Sequence, residues 1–312
     1  MARPGDAAQV VELPGPWHHR YVAANGARFH VVEAEGTQAD APMVLLLHGF
    51  PAFWWSWRHQ LGPLAGAGYR AVAMDLRGYG GSDKTPDGYD PLTLARDVVG
   101  VVKALGEGQA VVVGSGWGGY VAWTAAVTHP REVAALAAVS APHPSTMLDL
   151  VSRMHRVEAL RHVLTMQLPW FPERRLADPG SGFVRDHLTA WSAPGSAFPD
   201  DDEVSTYQRA IGLWPSSHCA LEYHRWLVRS RFRGDGRAYS RAMTAPVTQP
   251  VLCVVGGDDP ALPTGSLDRT RLRVAGPLEE HVLPGVGHFC SEESPDVFTE
   301  VLLGWLASLP LR

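Results

Sequence analysis

The sequence has few cysteines and no long apolar run, and both shortages exclude whole classes of protein. Only three cysteines occur in 312 residues, at Cys219, Cys253 and Cys290. This odd number at wide spacing matches neither a disulfide framework nor a cysteine metal site, and it is typical of a reducing compartment. Because no run of about 18 apolar residues occurs, no transmembrane helix is predicted.

A strong excess of one charge and a targeting signal are missing as well. The formal net charge is −5, and no basic stripe occurs, so nucleic acid is not a predicted partner. Residues 1–17 lack the apolar core of a signal peptide. We therefore expect a cytoplasmic protein that binds neither nucleic acid nor membrane. The sequence does not indicate an oligomeric state.

What the chain does contain is an alternation of strand and helix patterns. Alternating residues around Asn25-Gly26 predict a hairpin over 20–34. Short apolar runs then alternate with helical patterns, which favours a mostly parallel sheet covered by helices on both faces. Strands are predicted at 43–48, 69–75, 110–114, 133–140, 251–255 and 281–283, and helices at 54–66, 91–105, 118–128 and 295–309.

The strand patterns stop between about residues 144 and 245. This region holds helical patterns, loop-like stretches at 178–182 and 192–199, and a helix start at Asp200-Asp-Asp-Glu203. The predicted architecture is therefore an α/β core formed by 1–144 and 246–312. An all-helical cap, 145–245, is inserted into it.

The tetrapeptide His48-Gly49-Phe50-Pro51 begins where a predicted strand ends. In open α/β sheets, ligands bind at the carboxyl ends of the strands. The backbone N–H of Phe50 is therefore a candidate for stabilising an oxyanion. We also expect His48 and Pro51 to line a substrate pocket.

Three segments together resemble the α/β-hydrolase superfamily, in particular its epoxide hydrolase and haloalkane dehalogenase family. Residues 48–60 resemble the HGFP region of that family, and 75–83, which read DLRGYGGSD, resemble its next signature. Gly287-His288-Phe289, followed by Glu292-Glu293 and Pro295, resembles its histidine loop. The resemblance implies an α/β-hydrolase fold with a helical cap. It also implies a nucleophile, an acid and a histidine in that chain order.

The resemblance assigns the acid to Asp259, in Gly256-Gly257-Asp258-Asp259, and the histidine to His288. The acid would hold the tautomer of His288 and stabilise its charged form. The alternative interpretations are solvated loop carboxylates and an ordinary surface or core histidine. No metal site and no cofactor is predicted.

The nucleophile of this family lies at a sharp strand-to-helix turn with small residues two places before and after it. Here the segment 113–119 reads VGSGWGG, which places Gly116 at the apex, where epoxide hydrolases usually carry an aspartate. Ser115 is an alternative nucleophile, but that register puts Trp117 where a small residue is needed. The Trp117 N–H would complete an oxyanion hole with Phe50, although a purely structural tryptophan is the alternative.

Epoxide hydrolases also donate two cap tyrosine hydroxyls to the epoxide oxygen, and the cap departs from this pattern. The segment 221–225, LEYHR, places His224 at one tyrosine position, with Tyr223 one place earlier. The second position falls near His162. We expect His162, Tyr223 and His224 in the substrate pocket, where imidazoles would donate hydrogen bonds. The alternative is ordinary packing between cap helices.

Two classes of function follow. The first is a cofactor-free, epoxide-hydrolase-like enzyme that acts on a small apolar molecule through a water activated by His288 and Asp259. The second is a catalytically inactive homologue that binds a small-molecule ligand. A third interpretation is an ordinary epoxide hydrolase inactivated by a single change to Gly116, because glycine removes the carboxylate that attacks the epoxide.

Overall fold

A central sheet of eight strands organises the molecule in the computed structural model, which describes residues 4–38, 40–146, 157–262 and 265–311. The strands lie in the order β1-β2-β4-β3-β5-β6-β7-β8. All pairs from β4 to β8 are parallel, while β1 and β2 add an antiparallel edge. The predicted α/β fold is confirmed. The strands are β1 (Trp17–Ala24), β2 (Ala27–Ala34), β3 (Met43–Leu47), β4 (Arg70–Met74), β5 (Ala110–Ser115), β6 (Val133–Val139), β7 (Val251–Gly256) and β8 (Leu278–Leu283).

The first hairpin follows from its turn residues. Asn25 and Gly26 both have positive φ, 45° and 74°, and a two-residue turn that matches strand twist requires such angles at both positions. The hairpin pairs Trp17 with Ala34 at its open end. The prediction of a hairpin over 20–34 is confirmed, with three more residues at its start.

Helices cover both faces of the sheet, so the central strands are buried throughout. Every residue of β3 and β4 is buried, which explains why they read as continuous apolar runs. The helices are α1 (Pro4–Val11), α2 (Arg58–Gly66), α3 (Pro91–Ala104), α4 (Trp117–Thr128), α5 (Val157–Met166), α6 (Phe171–Ala177), α7 (Phe183–Trp191), α8 (Asp201–Ile211), α9 (Ser216–Arg229), α10 (Gly234–Ala242), α11 (Ser266–Arg271), α12 (Cys290–Glu293) and α13 (Pro295–Ser308).

The strand β8 begins three residues earlier than the sequence indicates. It is the edge strand next to β7, and most of its residues are partly or fully exposed. Polar residues such as Glu279 and Glu280 are therefore tolerated there. Because they interrupt the apolar run, the hydrophobic pattern did not indicate the first residues of the strand.

Among the described residues, the region between β6 and β7 forms the six helices α5 to α10. The predicted start of α8 is confirmed by a capping box: Glu203 N–H donates to the Asp200 side chain at 2.7 Å, and Asp200 N–H donates to the Glu203 side chain at 2.9 Å. Part of the predicted cap, 147–156, lies outside the described residues. The division into a core and a cap of residues 145–245 therefore stays a prediction.

No helix in the described part of the chain combines the length and the apolar character needed to cross a bilayer. The longest helices, α3, α9 and α13, have 14 residues each.

Candidate active site

The turn between β5 and α4 has its apex at Gly116. Its φ of 51° and ψ of −115° are angles that glycine adopts freely and other residues adopt only under strain. A Cβ at Gly114 would lie 2.3 Å from the Gly118 carbonyl oxygen, and one at Gly118 would lie 2.2 Å from the Leu47 carbonyl oxygen. Both flanking positions must therefore be glycine, as predicted for a turn centred on 116. The register centred on Ser115 does not match these contacts.

A side chain at position 116 would point at the predicted histidine. A Cβ built on Gly116 lies 3.4 Å from Nε2 of His288 and 3.7 Å from the Cα of Gly49. The space in front of the imidazole is therefore bounded by two glycines. This is the relative placement that a nucleophile and its histidine require.

The predicted acid and histidine are in direct contact. Nδ1 of His288 lies 2.8 Å from Oδ2 of Asp259, whose side chain is fully buried, while the His288 side chain is 11% exposed. Because a carboxylate only accepts, Nδ1 carries the proton and Nε2 offers a lone pair towards Gly116. The close approach of the two loops depends on Gly256, since a Cβ there would lie 1.9 Å from the Gly287 carbonyl oxygen.

Glu293 stabilises the loop that carries His288, residues 287–289. Its carboxylate accepts hydrogen bonds from the backbone N–H groups of Gly287, Phe289 and Ala193 at 2.8–2.9 Å. In addition, the His288 N–H donates to the carbonyl of Trp191 at the end of α7. Hydrogen bonds thus connect this loop to the end of α7 and the residue that follows it closely, Ala193. The sequence did not reveal this role of Glu293, because it depends on backbone groups that converge only in the folded loop.

Two backbone N–H groups border the same space. The N–H groups of Phe50 and Trp117 form no hydrogen bond within the described residues. Their loops touch, since a Cβ on Gly49 would lie 3.0 Å from the Ser115 carbonyl oxygen. The pair can therefore donate hydrogen bonds to a negatively charged oxygen of a reacting group, as an oxyanion hole does.

The structure gives His48 a different place from the predicted pocket position. Its Nδ1 donates to the carbonyl of Gly49 at 2.8 Å, and its Nε2 accepts from the N–H of Leu76 at 3.0 Å. Both ring nitrogens therefore form hydrogen bonds with backbone groups, and the fully buried ring stabilises the loop. Pro51 is buried beside Phe50 in this loop.

The Tyr223 hydroxyl is bonded to the backbone rather than offered to the candidate site. This hydroxyl donates to the Arg77 carbonyl at 2.8 Å, and the buried ring packs against Tyr79 and Tyr89. The next residue, His224, takes the position facing the site: its Nε2 accepts from Nε1 of Trp117 at 3.1 Å. Successive helical side chains point in different directions, so only one of the two can face the pocket.

His224 belongs to a cluster of cap histidines that includes one residue the sequence analysis missed. Nε2 of His162 lies 3.2 Å from Nε2 of His224. The ring of His187 stacks on His162 with a centroid distance of 4.9 Å. A sequence signal for His187 exists, since Val184, His187 and Leu188 share one helix face, but that spacing is typical of an ordinary core position.

Burial keeps the cap histidines neutral. It lowers the pKa of His187 to about 3 and that of His224 to about 4, and it places the pKa of His162 well below its usual value. Desolvation is the main cause, because a buried imidazolium loses its hydration. At neutral pH these side chains therefore act as uncharged hydrogen-bonding groups.

A buried charge network lies beside the site. The Arg58 guanidinium donates to Glu292 at 2.7 and 2.9 Å and to Glu203 at 2.6 Å, and the Tyr207 hydroxyl also donates to Glu292. Burial raises the pKa of Glu292 to about 7. In the described part of the chain, His59, Glu203 and Glu292 form the one group with spacing suited to a metal, but Arg58 already supplies positive charge to both carboxylates.

A small cavity of about 20 Å³ adjoins His288, Ser115 and Phe50. This volume suits a single water molecule, which needs roughly 10–15 Å³ and two to four polar partners. Tyr207 and Glu292 also line this cavity.

Comparison with known proteins places the chain in a family. The sequence profile of the α/β hydrolase fold matches residues 42–295. Epoxide hydrolase A of Mycobacterium tuberculosis is 33% identical over 94% of this chain and 98% of its own length. Epoxide hydrolase 3 of Xenopus tropicalis is 32% identical over 92% of this chain and 77% of its own length.

Solved structures agree with the sequence relatives. An epoxide hydrolase from an endophytic Streptomyces superposes with a TM-score of 0.81 at 30% identity, covering 95% of this chain and 97% of that chain. Epoxide hydrolase A of Mycobacterium thermoresistibile superposes with a TM-score of 0.77 at 26% identity, covering 95% and 100%. Family profile, relatives and fold all lead to one assignment: this chain belongs to the α/β-hydrolase fold family, and epoxide hydrolases are among its homologues.

Proposed function

We propose that the protein is a cofactor-free hydrolase of a small, largely apolar molecule, and that Gly116 stands where epoxide hydrolases carry their nucleophilic aspartate. A water activated by His288 and Asp259 would take the place of that carboxylate. The observation that carries the proposal is the direction of position 116. Its Cβ vector ends 3.4 Å from Nε2 of His288, so the space beside the glycine lies within reach of a general base.

The reaction would use the groups in sequence. Nε2 of His288 removes a proton from water, and the hydroxide forms a bond to the electrophilic carbon of the substrate. Asp259 stabilises the resulting imidazolium. The Phe50 and Trp117 N–H groups donate hydrogen bonds to the substrate oxygen and stabilise the negative charge that develops on it. The imidazolium then returns its proton to the leaving group as the bond to that group breaks.

The hydrogen bonds of the cap residues favour a substrate that reacts at an acyl carbon over one that reacts at an epoxide ring. Epoxide opening needs a hydrogen-bond donor at the ring oxygen. Here Nε2 of His224 accepts the indole N–H of Trp117, and its Nδ1 faces the carbonyl oxygen of Ala220, so His224 keeps no free N–H for an epoxide oxygen. The contacts of His224 therefore do not support the prediction that it donates a hydrogen bond to a substrate. The oxyanion-hole candidates remain, and they suit a carbonyl oxygen.

A second candidate function is ligand binding without turnover. The observation that favours it is the absence of any side chain at position 116, which leaves His288 without a nucleophile of the protein's own. In this case the small-molecule partner would remain unchanged in the pocket. A hydrolase inactivated by one substitution is the related third interpretation.

The test compares the native protein with Gly116→Asp on matched epoxides and aryl esters, with intact-mass detection of covalent adducts. A single turnover in H₂¹⁸O follows the oxygen. Water activation predicts turnover by the native protein, label in the product and no adduct. Gly116→Ala is the control that blocks the space without adding a carboxylate, and it should reduce turnover.

The outcomes separate the three functions. Adduct and turnover in Gly116→Asp, with none in the native protein, would support the inactivated hydrolase and contradict water activation. No turnover in either protein, with ligand binding in both, would support the binding function. Turnover that is unchanged in Gly116→Ala would contradict a water held beside Gly116.

A further inference from the structure

A second contact between a histidine and an aspartate lies at the antiparallel side of the sheet, outside the candidate active site. Nδ1 of His30, on β2, lies 2.8 Å from Oδ2 of Asp75, which follows β4, and both side chains are fully buried. On the other side of the ring, Nε2 of His30 lies 3.0 Å from Nδ1 of His19. Nε2 of His19 in turn lies 2.9 Å from the carbonyl oxygen of Leu13. These four residues form a histidine row of three successive hydrogen bonds.

The histidine row needs one proton more than two neutral rings supply. Each hydrogen bond requires one proton between its two atoms, so three bonds require three protons. The carbonyl oxygen and the carboxylate at the two ends only accept, and a neutral imidazole carries a single N–H. With two neutral rings, one of the three contacts would bring together two acceptors, which is unfavourable in a buried place. The geometry therefore requires one additional proton in the row.

This proton lies on His30 rather than on Asp75 or His19. Asp75 also accepts the backbone N–H groups of Trp54 at 2.7 Å and Gly81 at 2.8 Å, and such donors stabilise a carboxylate. Burial raises the pKa of Asp75, but these bonds and the contact with His30 hold it below its usual value. Burial also lowers the pKa of His19. His30 is thus the charged ring, and His19 is neutral with its proton on Nε2.

The surrounding ionisable groups are compatible with a positive charge on this pair. Two carboxylates lie near His19 and favour a positive charge there, since they raise its pKa against the effect of burial. Burial raises the pKa of Tyr21 to about 12 and lowers that of His48, so both stay uncharged at neutral pH. The ionisable groups that face the row or its neighbours are Glu12, Tyr21, Arg28, His48, Asp75 and Lys84.

The row ends in a short segment, residues 11–13, that side chains of the core hold in place. The Leu13 carbonyl also accepts the indole N–H of Trp17, and the Val11 carbonyl accepts that of Trp54, both at 2.8 Å. The Trp54 ring packs edge-on against both histidine rings of the row. Helix α1 ends at Val11 and packs against α8. The charged pair therefore contributes to the attachment of a segment that reaches the cap region.

We propose that His30 is an imidazolium at neutral pH and that its second proton, acting through His19, holds the segment 11–13 on the sheet as a pH-sensitive attachment. His19 can accept from His30 and donate to Leu13 at the same time only while His30 is charged. After this proton is lost at higher pH, Nδ1–H of His30 still donates to Asp75, so the bond that breaks is one of the two made by His19. The attachment is therefore complete at low pH and weakens as the pH rises.

The test follows the imidazole and indole nitrogens by ¹⁵N NMR at pH 7. The native protein should carry protons on both nitrogens of His30 and on Nε2 alone of His19. In His19→Phe, which keeps a ring but removes the acceptor, His30 should lose its second proton. Exchange of the indole N–H groups of Trp17 and Trp54 should then become about tenfold faster, as expected for the loss of one hydrogen bond. His18→Phe, on the same strand with 69% of the side chain exposed, is the matched control and should change neither property.

A pH titration of the native protein tests the sign of the effect. Indole exchange, corrected for its intrinsic dependence on pH, should become faster over the same pH range in which His30 loses its second proton. A single N–H on His30 at pH 7 would overturn the proposal. Unchanged indole exchange in His19→Phe would also overturn it, as would faster exchange in the native protein while His30 is still charged. None of these measurements depends on turnover, so their outcome is independent of the proposed hydrolysis.

Discussion

His288 and the cap histidines lie close together, since Trp191 is in ring contact with His288, His162 and His187, but they differ in their partners. His288 has the buried carboxylate of Asp259 at 2.8 Å, so a positive charge on its ring is stabilised. Among the described residues, His162 and His224 contact each other, and His224 also contacts an indole and a backbone carbonyl. Burial lowers the pKa values of His162, His187 and His224. An imidazole beside a carboxylate can act as a base, whereas these buried imidazoles stay neutral.

The largest expected effect comes from removing the base. His288→Asn should lower kcat/KM by a factor of about 10³, because general base catalysis typically contributes 10²–10⁴-fold. Asp259→Asn should have a similar effect, since an amide no longer stabilises the imidazolium. The measurement is steady-state kinetics on the ester or epoxide that the native protein turns over. Retention of more than a tenth of the activity in His288→Asn would show that His288 is not the base.

Acid should destabilise the folded protein through the cap histidines. The pKa of His224 falls from 6.5 unfolded to about 4 folded, so the unfolded state binds more protons between these values. The free energy of unfolding should therefore decrease as the pH falls from 6.5 towards 4, by at most ~3 kcal/mol from this residue. The full contribution is present only above pH 6.5.

Chemical denaturation of the native protein and His224→Phe at each pH measures this contribution as a difference. The raised pKa of Glu292 has the opposite sign, because it removes stability as the pH rises from 4.5 through about 7. Glu292 is present in both proteins, so its effect cancels. Equal pH dependence in the two proteins would mean that His224 is not buried in its neutral form.

A smaller effect is expected from the backbone at the turn around Gly116. Gly116→Ala should lower the free energy of unfolding by about 1–3 kcal/mol, because a non-glycine residue is strained at its positive φ. Gly304→Ala is the control: this exposed glycine lies within α13, and nothing lies within 4 Å of a Cβ built on it. It should stabilise the protein by about 0.5–1 kcal/mol. Thermal unfolding of both variants checks the contrast, and a stabilised Gly116→Ala protein would contradict a strained turn.

The smallest effect is expected at the start of α8, away from both sets of histidines. Asp200→Ala removes the acceptor for the Glu203 N–H and should cost about 1 kcal/mol. Activity should not change, because Asp200 is exposed and is not among the residues that line the cavity beside His288. A loss of activity in this variant would show that the start of α8 and the candidate site unfold together.

Much of the site was predictable because short-range sequence patterns specify it. Gly114, Gly116 and Gly118 set the register of the turn, since each lies where a Cβ would meet backbone or strain the chain. The acid and histidine were assigned by resemblance, and the structure brings them into contact. His187 was missed because a histidine on the apolar face of a helix has the pattern of a core residue. His48 was misplaced because nothing in a strand-end motif shows that both ring nitrogens bind backbone.

The sequence by itself determined the alternation of strands and helices, the glycine at the turn and the pairing of an acid with a histidine, because these depend on neighbouring residues or on a family pattern. Only the tertiary structure decided which nitrogen of His224 carries the proton. That choice depends on partners far apart in the chain, such as Trp117 and His224, and a hydrogen bond has a direction only once donor and acceptor face each other.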